Sequence, residues 1–129
     1  MSEKIKLGQH GERIAARYLR LRLYRVLARN YRTPFGEIDL VCRRSGVLVF
    51  VEVKTRTSQH FGNPETAITM QKMSHLIKAA ECYRRREQCH GQPWRIDVLA
   101  IDVTANSRPA ITHFENAVQD WPAEKTVRG

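Results

Sequence analysis

The chain has 129 residues, 42% hydrophobic and 27% charged, which suits one domain with a buried core and excludes disordered or fibrous classes. No apolar run reaches the roughly twenty residues a membrane span needs, and the start MSEKIKLGQHGER lacks the apolar core of a secretory signal, so a cytoplasmic protein is expected. The 22 Lys and Arg against 13 Asp and Glu leave a net charge of +9, which points to polyanions, nucleic acid ahead of an anionic membrane surface.

Leu7, Ile14, Ala15, Tyr18 and Leu19 recur at helical spacing and predict an amphipathic helix from Leu7 to Leu23, with Arg13, Arg17 and Arg20 on another face. Tyr24 to Tyr31 reads as an edge strand followed by the loop Arg32-Thr33-Pro34-Phe35-Gly36. Glu37 to Cys42 and Val47 to Lys54 form a predicted hairpin around Arg43-Arg44-Ser45-Gly46. Arg56 to Pro64 reads as a loop. Met73, Leu76, Ile77, Ala80 and Tyr83 then mark a second helix, with Arg84, Arg85 and Arg86 at its carboxyl end and Gly91 and Pro93 beyond it. Arg95 to Val103 and Ala110 to Phe114 are two further strands, separated by the turn-rich segment Thr104 to Pro109. The predicted architecture is one α/β domain over residues 1–121, in the order α-β-β-β-α-β-β, with residues 122–129 a flexible tail.

Alternation along a strand places Glu37, Asp39 and Val41 on one face and Ile38, Leu40 and Cys42 on the other, and it pairs Glu52 with Lys54. If Cys42 pairs with Val47 across the turn, Glu37 falls opposite Glu52 and Asp39 opposite Phe50, so three carboxylates converge. Carboxylates and water suit Mg²⁺ or Mn²⁺, so Glu37, Asp39 and Glu52 are candidate metal ligands. Lys54 adds an ammonium for an attacking water or a developing negative charge, a combination suited to phosphodiester hydrolysis. The same residues also read as the polar half of a solvent-facing strand pair.

Glu12 borders the buried helical stripe and is a fourth acid, or else an ordinary solvated one. Lys72 heads the second helix's stripe, where it reaches a phosphate or snorkels to water. Arg13, Arg17, Arg20, Arg29, Arg32 and Arg56 make a candidate phosphate track, with a hydrated basic surface as the other reading. His10, His60, His75, His90 and His113 lack ligand spacing and read as surface or packing residues, and Asp97 and Asp102 as ordinary polar positions. Cys42, Cys82 and Cys89 fit neither a disulfide framework nor a zinc site and read as reduced thiols.

Gly36-Glu37-Ile38-Asp39-Leu40-Val41, followed by Val49-Phe50-Val51-Glu52-Val53-Lys54-Thr55-Arg56, resembles the signature of the YraN-like bacterial proteins. Gly8-Gln9-His10-Gly11-Glu12 and Asn30-Tyr31-Arg32 extend the resemblance, and weaker matches carry it to about Val103. That family is similar to archaeal Holliday-junction resolvases and the restriction-endonuclease-like PD-(D/E)xK superfamily. The resemblance implies a mixed central sheet flanked by helices, with Asp39 as the metal-binding Asp, Glu52 as the second ligand, Lys54 as the catalytic lysine and Glu12 as the resolvase helix acid. Glu37 stands outside the general motif, and Ile38 replaces the Pro of many members. The implied activity is a Mg²⁺- or Mn²⁺-dependent endonuclease acting on branched or structured DNA, with RNA a second polymer and a homodimer the arrangement for paired cuts. The other reading is a non-catalytic DNA- or RNA-binding adaptor on the same fold.

Overall fold

The structure is a computed structural model that describes residues 3–57, 68–103 and 108–120. The elements follow the predicted order: α1 (Glu3–Leu21), β1 (Arg25–Thr33), β2 (Gly36–Arg44), β3 (Val47–Thr57), α2 (Met70–Arg86), β4 (Trp94–Val103) and β5 (Ala110–Phe114), with a short helix α3 (Ala117–Asp120) added at the end. The five strands form one mixed sheet in the order β1-β2-β3-β4-β5. The first three make an antiparallel meander, α2 carries the chain over to a parallel β4, and β5 returns antiparallel. A parallel neighbour requires such a crossover, because a tight turn can only reverse direction.

Each face of the sheet is covered. Ala15 and Leu19 of α1 pack with Leu40, Cys42, Val49, Val51, Leu99 and Ile101. On the other face Met73, Leu76, Ala80 and Tyr83 of α2 pack with Val41, Leu48, Phe50, Ile96 and Val98. The two helices thus bury opposite faces of the same strands, and α1 sits close enough to β3 that a Cβ on Gly11 would overlap the Thr55 side chain.

Several boundaries differ from expectation for local reasons. The loop predicted over 32–36 contracts to the turn Pro34-Phe35, because Thr33 Oγ1 accepts from the Phe35 amide at 3.0 Å and donates to the Gly36 carbonyl at 2.7 Å. β3 continues through Arg56 to Thr57, since its parallel pairing with β4 runs to Val103. The hairpin turn holds two residues rather than four: Ser45 and Gly46 have φ values of 52° and 80°, the conformation whose twist matches the flanking strands. Arg44 therefore pairs with Val47 and Val41 with Phe50, two residues along from the predicted register. The rest of the predicted loop, over 58–64 and with His60 included, residues 104–107 of the predicted turn and the tail over 122–129 lie outside the described residues.

Asp97 is no ordinary polar position. It is fully buried on β4, accepting from Arg95 Nε at 2.9 Å and the Asn116 amide at 2.9 Å, with His113 Nε2 at 2.8 Å. His113, expected at the surface or in simple packing, links Asp97 to the Tyr18 hydroxyl of α1 at 3.2 Å, while Arg95 donates to the Tyr24 hydroxyl at 2.8 Å. Burial opposes charge on Asp97, but the bonds from His113, Arg95 and the Asn116 amide outweigh it and hold the carboxyl below its usual range. Its stabilising contribution is therefore full above the unfolded-state pKa and is lost as pH falls through the lower folded value. Asp97→Asn is expected to cost about 3 kcal/mol at neutral pH by leaving Arg95 uncompensated, with the deficit shrinking in acid. Urea denaturation across pH checks both. Gly11→Ala is expected to cost about 1–3 kcal/mol by forcing α1 away from Thr55, read from the same unfolding curves.

Candidate functional site

The β2–β3 ladder ends at Leu40 and Val51. One rung further, Asp39 turns its carboxylate into the gap and accepts from the Val53 amide at 2.8 Å, replacing the backbone partner that amide would otherwise need. Glu52 is the acid that acts most strongly on the Asp39 carboxyl. The two-residue turn is what makes them neighbours, since the predicted register put Glu37 there instead.

The face assignment changes as well. Ile38 packs in the α2-side core and Leu40 in the α1-side core, although strict alternation would put them together. The break falls at Asp39, opposite Asn30, whose φ of 49° interrupts β1 and whose rung is skipped in the β1–β2 pairing. Asp39 consequently sits between the layers, within the electrostatic reach of Glu12 from α1 and Lys72 from α2.

Glu52 is 4% exposed. Lys54 Nζ and Lys72 Nζ approach the same oxygen, Oε2, at 3.9 and 3.8 Å, while Oε1 is buried without a hydrogen-bond partner. Lys72 lies in the first turn of α2, where its own amide donates to the Thr69 cap at 3.0 Å. A cation there opposes the helix dipole, and the buried carboxylate compensates. Glu12 and Glu37 stand together on the α1 side, both accepting from Asn30 Nδ2 at 3.1 and 3.2 Å, and Glu37 also meets Arg32 at 3.6 Å. Glu37 thus does not join Asp39 and Glu52 in a three-acid set, and among the described residues no three His, Cys, Asp or Glu side chains converge on one point. The neighbouring pair is half-buried Asp39 and buried Glu52.

Burial, followed by the Glu52 charge, pushes the Asp39 carboxyl up to about 8 despite the Val53 amide; burial also raises Glu52, against Lys72 and Lys54. A proton held between the carboxylates would satisfy both, and a cation would replace that proton.

Of the basic residues, Arg13, Arg17 and Arg20 are exposed along α1, Arg29 and Arg32 are exposed on the edge strand β1, and Arg56 is half-buried on β3. Only Lys72 and Arg32 of this set contact the acids, among the described residues. Arg17 instead lines a groove of about 460 Å³ with Ile14, Tyr18, Leu21, Arg22 and Ile111, which includes none of the acids. Asn30 appeared in the sequence only within the family motif. Its signal was an asparagine inside a strand, where that residue is disfavoured unless it does something locally.

The sequence profile described as "Uncharacterised protein family UPF0102" matches residues 11–101. A UPF0102 protein of Syntrophomonas wolfei is 43% identical over 112 residues, covering 87% of this chain and 96% of the relative. Those of Beutenbergia cavernae and Geobacter metallireducens are each 41% identical, covering 88% of this chain and 97% and 92% of the relatives. The match spans α1 from Gly11 through β4, and so includes every acid of the site.

In the metal-free protein, stability is expected to fall as pH rises from about 4 toward about 8, because the folded chain keeps a proton on Asp39 that the unfolded chain has released. Asp39→Asn retains an oxygen for the Val53 amide and should flatten that slope, as urea midpoints measured across this range would show.

Proposed function

The chain belongs to the uncharacterised protein family UPF0102, and within it we propose a metal-dependent endonuclease that hydrolyses phosphodiester bonds in branched or structured DNA. The observation that carries this reading is the Asp39–Glu52 pair: a half-buried and a buried acid at the open end of a strand pair, one Glu52 oxygen left without a partner, and two lysines at the rim. A purely structural role would favour a paired or apolar arrangement, because an unsatisfied buried carboxylate is costly.

The donor set fits Mg²⁺ or Mn²⁺, which accept one or two carboxylates and complete their shell with water and substrate phosphate oxygens. Asp39 and Glu52 would hold the ion, and when bound it would lower the pKa of a water and offset charge on the scissile phosphate. Asp39 is already oriented by the Val53 amide. Glu52 is fixed by its burial and by Lys54 and Lys72, so neither acid must reorganise to bind. The Lys54 side chain, 33% exposed, extends from the buried acid toward solvent, where its ammonium can orient an attacking water or balance a phosphate oxygen. Lys72, 40% exposed on its side chain, offers a second ammonium from the α2 side. Glu12 and Glu37 assist from the α1 side. The exposed arginines of α1 and β1 would bind DNA backbone phosphates, or those of RNA. A homodimer would present two such sites for paired cuts.

Glu52→Gln and Lys54→Ala are each expected to reduce Mg²⁺-dependent cleavage of four-way-junction and flap DNA by about a hundredfold or more, with circular dichroism showing intact folding. Wild-type levels of cleavage in either purified variant would overturn the proposal. If the wild-type protein binds DNA with steep salt dependence yet cuts no junction, flap, single-stranded or RNA substrate in Mg²⁺ or Mn²⁺, the adaptor reading replaces it.

A further inference from the structure

Asn30 occupies the rung of β1 that faces Asp39. The pairs on either side are Arg29 with Leu40 and Tyr31 with Ile38. Its φ of 49° lies in the left-handed region, where glycine is the least strained residue and asparagine is tolerated. What asparagine adds over glycine is an amide. That amide's nitrogen donates to Glu12 Oε1 at 3.1 Å and to Glu37 Oε1 at 3.2 Å. With carboxylates on both sides its orientation is determined, because only the nitrogen end carries hydrogens and it carries two.

We propose that Asn30 is a positioning residue of the candidate metal site, its amide tying the helix acid Glu12 to the strand acid Glu37 and so setting Glu12 beside Asp39 and Glu52. The inference rests on the metal-site reading above. Glu12 comes from α1 and Glu37 from β2, and their like charges meet at one nitrogen. Without the donor they would repel, and Glu12, a long half-exposed side chain, would turn to solvent. Outer contacts of this kind hold metal-site carboxylates in orientation, and their loss commonly weakens metal affinity or activity by about tenfold to a hundredfold. The left-handed backbone at Asn30 and the skipped rung beside Asp39 aim the amide away from the ladder and toward the acids.

The test compares wild type, Asn30→Gly and Asn30→Asp by calorimetric titration with Mn²⁺ alone, thermal unfolding, and NMR of side-chain carboxyl carbons in the metal-free protein. Asn30→Gly suits the backbone conformation and removes only the amide. It should unfold at or above the wild-type temperature, bind Mn²⁺ about tenfold or more weakly, and shift the carboxyl resonances of Glu12 and Glu37 while that of exposed Glu81 stays in place. Asn30→Asp keeps the shape but adds a third carboxylate and should lose at least as much affinity. Wild-type Mn²⁺ affinity in Asn30→Gly, or an unmoved Glu12 resonance, overturns the assignment, since a role confined to backbone conformation predicts both. Absence of Mn²⁺ binding in the wild-type protein instead overturns the metal-site reading, and with it the functional part of this role; shifted Glu12 and Glu37 resonances would then support the amide tie alone.

Discussion

Past Leu40 and Val51 the second and third strands part, and the Val53 amide gives its hydrogen to the Asp39 carboxylate instead of a backbone carbonyl. The arrangement of the candidate site follows from that exchange. The bond turns Asp39 into the gap between the strands, where Glu52 is its immediate neighbour and where groups from both helices reach it. It also leaves the half-buried Asp39 carboxyl beside the buried Glu52 carboxyl with few donors, a condition that a shared proton or a cation relieves and that apolar packing does not.

Asp97 shows what a structural buried acid looks like in this same sheet. Arg95 of the same strand, His113 of β5 and the Asn116 amide just beyond it surround Asp97, its carboxyl is held low, and through His113 and Arg95 it fastens β4 to the Tyr18 and Tyr24 hydroxyls. Asp39 has a single backbone donor and is pushed up to about 8. Two aspartates in one sheet thus have opposite environments: Asp97 is fully buried among several donors, whereas half-buried Asp39 receives one and lies beside a second acid. Under-supplied acids beside ammonium groups are the usual mark of a site built for something outside the protein.

The layers around the sheet serve this geometry. Gly11 lets α1 approach Thr55, which brings the adjacent Glu12 to the open end of the strands. The Thr69 cap starts α2 so that Lys72, in its first turn, reaches Glu52 from the opposite face. At the far end of α2, Arg86 donates to the Arg32 carbonyl at 2.9 Å, and Tyr83 meets Tyr31 with ring centroids 4.8 Å apart, so the helix is fastened to the edge strand as well. The acids are therefore held by elements from both faces, as an ion-binding site needs if its ligands are not to move on binding.

Much was legible in the amino-acid order because it depends on local periodicity: the element sequence, the edge position of β1, the faces of α1 and α2, and the prominence of Asp39, Glu52 and Lys54 within their strands. Register was not legible, because Arg43-Arg44-Ser45-Gly46 suits a four-residue turn as readily as a two-residue one. The tertiary structure chose the shorter turn, which replaced Glu37 with Asp39 as the neighbour of Glu52. Nor did alternation reveal that Ile38 and Leu40 would face opposite cores, since that break comes from Asn30 and Asp39 on adjacent strands. The burial of Asp97 and the role of His113 depend on residues from 18 to 116 meeting in space, a separation no local pattern reports. Short-range spacing determined which side chains belong to which strand or helix; only long-range packing decided which charges lost their water and which partners replaced it.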